Sequence, residues 1–173
     1  LRALGVSEVD GRKIVGFVAE FAAGSFRLLN VIETREGPLV DWDSYARYCS
    51  RSWEELLDGE SQSAEVRVFV SPGHHTQAPF ADVDAWTCFR LSSPDLPHDV
   101  YGYARAGTGR EARMKELVLG SRRHRQHMTL QVVSRREGSG ETLFEIKRVL
   151  AVGWVRSERD AEDEWPEGDV VTP

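Results

Sequence analysis

Two cysteines and two methionines are all the sulfur in these 173 residues. A disulfide scaffold needs more cysteine than that, so the fold has to be held by buried side chains. Cys49 and Cys88 sit beside aromatics, in YCSRSW and WTCFRL, where a thiol behaves as a small apolar group. A bridge between them is the other option, and it would point to an oxidising compartment. No run of about 18 apolar residues occurs, so no segment here has the composition of a spanning helix. The opening LRALGVSEVDGRK lacks the charged start and apolar stretch of a signal peptide. It also lacks Met, so a processed or truncated chain is expected, with room for an upstream anchor. Missing too are a Walker loop, a full dinucleotide fingerprint, a G-x-S-x-G elbow and any internal repeat.

What remains is ordinary globular material. Apolar residues make up 40% of the chain and charged residues 29%, which suits a packed core rather than disorder. The length fits one domain or two small ones. The net charge of −6 is unevenly spread. Residues 157–173, SERDAEDEWPEGDVVTP, hold seven acids and one arginine, so residues 1–156 balance to zero. Within that body, residues 1–104 carry 16 acids against 9 bases, and residues 105–148 carry 11 bases against 5 acids. The acidic tail has no apolar period and is expected to be disordered, with Trp165 as its one anchor.

Period-two alternation predicts strands over Ile14–Phe21 and Ser25–Glu33, joined as a hairpin. Val15, Phe17, Ala19 and Phe21 share one face of the first, and Phe26, Leu28 and Ile32 one face of the second. The pattern then changes to helical. Trp42, Tyr45, Ala46 and Cys49 fall at i, i+3, i+4 and i+7 and read as a core-facing stripe. Ser52 and Glu55 form a capping box for a short helix over Trp53–Asp58. After the polar break GESQS, strands are expected over Glu65–Ser71, Trp86–Ser92 and Val100–Arg105, then a helix over Arg110–Leu119 and strands over His127–Arg135 and Leu143–Val155.

Three strands, a helix and two strands make an order similar to an OB-type barrel. The expected fold class is therefore α+β and strand-rich. A small hairpin-plus-helices unit (1–60) precedes an OB-like five-stranded barrel (61–156) with one helix between strands three and four, and the acidic tail (157–173) follows. The phrases VDWDSYARY, SWEELL, CFRLSSPD, VYGYARAG and VLAVGWV also resemble a group of uncharacterised bacterial proteins, over about residues 10–155. That resemblance implies an upstream anchor or helical segment in many members. It likens the early strands to the closing half of an NTF2-like cone. It implies a bacterial protein, cytoplasmic or anchored, and brings no catalytic residues with it.

Several constellations bear on chemistry. SPGHHTQAPF sets His74 and His75 side by side between bends at Pro72, Gly73 and Pro79. Adjacent rings on an extended chain point apart, and zinc ligands come from spaced pairs, so the stretch reads as a surface loop whose imidazoles are incidental. His124 and His127, with Cys88 or Asp82, have better spacing but no second tight pair, and no metal or cofactor is expected. AGTGREAR places Gly107 and Gly109 before a helix with Arg110 and Arg113 in its first turn, which reads as a turn rather than a phosphate cradle. Asp41 and Asp43 suit helix capping better than catalysis, and no catalytic residues are expected.

A binding face is the stronger expectation. Tyr101 and Tyr103 share one side of a strand, Arg105 extends it, and Arg90 lies across on the neighbouring strand. Arg122, Arg123 and Arg125 form the densest basic run. The leading reading is a non-catalytic interaction or scaffold module that binds protein or a second copy of itself. An OB-type binder of single-stranded nucleic acid or a glycan, using those aromatic and arginine side chains, is the alternative. A hydrolase-like enzyme comes third.

Overall fold

The computed structural model describes residues 1–9, 11–20, 26–46, 49–58, 62–96, 98–121, 124–137, 140–153 and 155. The acidic tail, Trp165 in it, and Arg122 and Arg123 lie outside the described residues. The chain is strand-rich with few helices, and its strands form a four-stranded sheet and a closed five-stranded barrel. No described helix is long and apolar enough to cross a membrane.

The first sheet is an antiparallel meander of β1 (Arg2–Val9), β2 (Arg12–Glu20), β3 (Phe26–Thr34) and β4 (Gly37–Asp41). The expected hairpin is its centre. RALGVSEV mixes small and polar residues and hides β1 from a periodicity test. Pro38 masks β4, because proline is tolerated only where a strand begins or forms an edge. In register, Val15 pairs Val31 and Phe17 pairs Leu29. The apolar face of β2 therefore meets the odd-numbered residues of β3, while Ile32 pairs Ile14 on the other face. Both faces are partly apolar, and Ile14 is the one apolar side chain of these four strands that is fully buried among the described residues. A register shift between Ala3 and Gly5 marks β1. Such an irregularity and an edge proline both discourage pairing with another chain.

The helix expected across Trp42 is described as α1 (Trp42–Ala46), and residues 47–48 lie outside the described set. Trp42 corrects the expectation of a core-facing stripe. It is 66% exposed, and its ring lies 5.2 Å from that of Tyr45. Cys49, at the other end of that stripe, does pack against the barrel core.

The barrel runs β5 (Ser63–Pro72), β6 (Trp86–Ser92), β7 (Val100–Arg105), β9 (Leu143–Val152), β8 (Gln126–Arg135) and back to β5. All pairs are antiparallel except β7 with β9. An OB-like barrel fits this closed sheet in general terms. In chain order α3 (Gly109–Gly120) follows β7. Thr108 caps it by accepting from the Glu111 N–H, and Met114 and Val118 enter the barrel core. The interior is filled by Val66, Val68 and Val70 of β5, Phe89 and Leu91 of β6, and Met128, Leu130 and Val132 of β8, with Phe144, Ile146 and Val149 of β9. Ile146 and Val149 are three residues apart, yet both are core residues, because the β8–β9 register slips once between them, at Gln131/Val132.

α2 (Trp53–Asp58) belongs to this core in packing. Ser52 caps it through the Glu55 N–H at 3.1 Å, as its capping box requires. Leu56 is fully buried in the barrel cluster, Trp53 meets Phe144 edge-on at 6.0 Å, and the Thr142 hydroxyl donates to the Leu57 carbonyl at 2.6 Å. Leu56→Ala is therefore expected to cost about 2–5 kcal/mol, read as a lowered urea midpoint at unchanged slope. A loss below about 1 kcal/mol would place α2 outside the cooperative core.

Candidate functional site

On β7, Val100 and Ala104 are core residues of the barrel interior, and a Cβ on Gly102 would meet Leu91 and Ile146 side chains at 2.8 and 3.1 Å. Alternation then sends Tyr101, Tyr103 and Arg105 to the outer surface. Register places Arg105 opposite Trp86, Tyr103 opposite Cys88 and Tyr101 opposite Arg90. Four of the sequence-derived candidates, Arg90, Tyr101, Tyr103 and Arg105, thus share one outer face. Arg125 reaches the end of β6, at Ser92, two residues beyond Arg90. Its guanidinium lies 3.9 Å over the Phe69 ring and donates to Ser92 Oγ at 3.1 Å.

The segment joining β5 to β6, residues 73–85, lies on that outer face. Its root is tight: the Gly73 amide donates to the Cys88 carbonyl at 3.2 Å, and a Cβ on Gly73 would come within 2.7 Å of Cys88 Sγ. Its other end is tied by Asp82, whose carboxylate accepts from the amides of Asp84 and Ala85 at 3.0 and 3.2 Å. Between these roots the loop sends two rings down. Phe80 is buried and stacks on Tyr103 at 4.5 Å, with its edge toward Trp86 at 4.8 Å. His75 stacks on Tyr101 at 4.2 Å, with the planes 8° from parallel.

His75 corrects the reading of its imidazole as incidental. Its Nδ1 lies 2.7 Å from the Tyr103 hydroxyl, which also donates to the His75 carbonyl at 3.3 Å. Its Nε2 lies 3.7 Å from Glu141, on the β8–β9 connection. Only His74 stays exposed as expected. Sequence spacing could not reveal this, because the partners are 28 and 66 residues away. Phe80 was the available signal: a lone aromatic within a polar, proline-bent loop has to pack on something. This loop covers the Tyr face, and Tyr103 at 1% exposure offers no open ring face.

Phe80, Tyr103 and Leu143 form a second, small core outside the barrel, flanked by Trp86, Cys88 and Tyr101. Beside it a recess of about 310 Å³ opens between loop and sheet, lined by His74, Phe80, Val83, Trp86, Thr87 and Tyr103 among others. Burial pushes the Tyr103 phenol well above its ordinary value, and the adjacent Cys88 adds to the rise. Burial also raises the Cys88 thiol, against hydrogen bonds from the His75 backbone and Tyr103. Both cysteines are free rather than bridged, and burial raises Cys49 as well. A protonated thiol is a poor nucleophile.

Charges around the recess are compensated. Arg90 lies 3.6 Å from Asp99 and donates to Ser71 at 3.2 Å. At Glu145, burial alone would raise the carboxyl, but hydrogen bonds from Lys147 and Arg135 outweigh it and hold the group below the usual range. Arg105 sits 5.9 Å over Trp86. Away from this face, the other ligand candidates do not converge. His127 packs on Phe69 with the rings tilted at 52° and 4.6 Å apart, and no group of three metal-binding side chains occurs among the described residues. The Arg110 side chain is buried and donates to the Lys147 carbonyl rather than facing outward from the helix start. A broader hollow of about 770 Å³ at the turns of the first sheet is lined by exposed charges of both signs, including Arg12, Lys13, Glu33 and Glu36.

No family model matches this chain, and neither a curated protein nor a solved structure matches it.

The phenol yields a sign-determined expectation. A raised folded value means the neutral form is favoured by folding. Its contribution is full below the unfolded value of about 10 and is lost as pH rises through and beyond it. Tyr103→Phe is expected to flatten the alkaline fall in urea midpoint. An unchanged alkaline slope in the variant would refute this account. Both thiols are likewise expected to react slowly with a disulfide reagent at neutral pH in the native protein and quickly in urea.

Proposed function

We propose that the chain is a non-catalytic interaction module that binds a protein partner at the recess beside loop 73–85. The lining carries this reading. It is largely neutral and aromatic, it borders the exposed Val83, and its volume suits one or two inserted side chains. Interface anchors are typically aromatic or aliphatic groups seated in such pockets with a polar rim. The charges nearest in strand register are paired, Arg90 (opposite Tyr101) with Asp99 and Glu145 (opposite Tyr103) with Lys147 and Arg135. In this reading the barrel is OB-type throughout, with α3 as the helix between its third and fourth strands, and the first sheet is the closing half of an NTF2-like cone.

One observation favours the second reading, an OB-type binder of single-stranded nucleic acid or a glycan. Trp86, Tyr101, Arg90 and Arg105 lie on the outer face of the second and third barrel strands, flanked by two loops, where such barrels take oligonucleotides and oligosaccharides. Against it, phosphate affinity needs uncompensated positive charge, and Arg90 already faces Asp99.

Panning a displayed peptide library on the intact chain separates the two. Peptides with an aromatic or aliphatic anchor are expected to be enriched and to lose about tenfold or more in affinity on Val83→Glu, a change at an exposed rim position. Enrichment indifferent to Val83→Glu, or none, would sink the protein-partner reading. Salt-dependent retention on heparin at low ionic strength would move support to the second.

A further inference from the structure

Tyr101 and Tyr103 are two residues apart on β7, and Trp86 is across from Arg105 on β6. Together they form a strip of three rings, with Arg105 at one end and Arg90 at the other. Every ring in the strip is met by a ring of the 73–85 loop. His75 lies parallel on Tyr101 at 4.2 Å, Phe80 lies nearly parallel on Tyr103 at 4.5 Å, and the same Phe80 meets Trp86 at 4.8 Å. The two parallel contacts, on Tyr101 and Tyr103, have the separation and orientation that a planar ligand ring takes on an aromatic side chain, while Phe80 meets Trp86 edge-on.

We infer that loop 73–85 is an autoinhibitory contact, whose own rings fill the stacking positions that a single-stranded oligonucleotide would take on the β6–β7 strip. The loop is fastened at three points. Gly73 has no room for a Cβ against Cys88, Phe89 and Arg90. His75 bridges Tyr103 of the strip to Glu141 of the opposite loop. Phe80 is 3% exposed in the small outer core. While these hold, Tyr103 has no free face and His75 covers one face of Tyr101. Once they are released, three rings with Arg105 at one end are open, and aromatic stacking beside a cationic end suits a flexible polyanion with planar bases. Oligonucleotide rather than apolar peptide is the occupant that fits, because Arg105 lies over Trp86 with no carboxylate among its described contacts, whereas Arg90 keeps its pair with Asp99. This inference does not rest on the recess as a protein site.

The test is fluorescence anisotropy of a labelled short oligothymidylate at low salt, with circular dichroism and thermal melting to establish folding. Wild type is expected to bind weakly. The double variant His75→Ala, Phe80→Ala is expected to bind about tenfold or more tightly, and adding Tyr101→Ala is expected to remove the gain. Gly73→Ala, which lifts the loop root and deletes no ring, is expected to shift affinity the same way by less. Should Phe80→Ala fail to fold, His75→Ala alone uncovers Tyr101 and bears the same expectation. A folded variant no tighter than wild type, a gain that survives Tyr101→Ala, or wild type already as tight as the variants would each overturn the inference.

Discussion

β7 meets β9 in parallel at Gly102–Phe144 and Tyr103–Glu145, and this short seam turns an open sheet into a barrel. The seam demands a residue without a side chain beneath it. A Cβ on Gly102 would overlap Leu91 and Ile146, which already fill the interior at that level. With the seam closed, the direction of each side chain on β7 is decided. Val100 and Ala104 go inward, and Tyr101, Tyr103 and Arg105 go outward. Leu143 on β9 lands outside beside Tyr103, while its neighbour Phe144 enters the core. The second, external core is thus a by-product of closure.

That external core constrains what the outer face can do. An OB-like sheet normally leaves this surface for ligand. Here Phe80 and Leu143 close over Tyr103, and the recess that remains is displaced toward Trp86 and Val83. Charge follows the same pattern of internal satisfaction. Glu145, next to Tyr103 in register, is held ionised by Lys147 and Arg135 against the pull of burial. Asp95 shows the opposite balance. Burial raises its carboxyl despite Arg27 and Ser93, and its ion pair with Arg27 at 3.7 Å links the barrel to the first sheet. An ion pair that exposed contributes little to stability, so it orients the two units more than it holds them.

Local patterns in the chain carried much of the architecture. Alternation marked β2, β3, β5, β7 and β8, chain order added β6 and β9, and helical spacing put Met114 and Val118 on one face of α3. The Ser52–Glu55 box marked α2. Each of these depends on neighbours a few residues away, so a one-dimensional reading reaches it. β1 and β4 escaped because small residues and Pro38 break the period. Trp42 escaped because helical spacing says which residues share a face, not whether anything lies against that face. Val149 would be assigned outward by strict alternation, and only the slipped β8–β9 register brings it in.

The candidate site divides in the same way. From the amino-acid order alone came the shared face of Tyr101 and Tyr103, its extension by Arg105, and Arg90 on the adjoining strand, since strand parity needs no knowledge of the rest of the fold. Whether those rings would be open or covered was decided only in three dimensions. His75 meets Tyr103 and Glu141 across 28 and 66 residues of chain, and Phe80 meets Leu143 across 63. Parity is a property of the backbone repeat, whereas cover depends on which distant loop closure brings down onto the sheet.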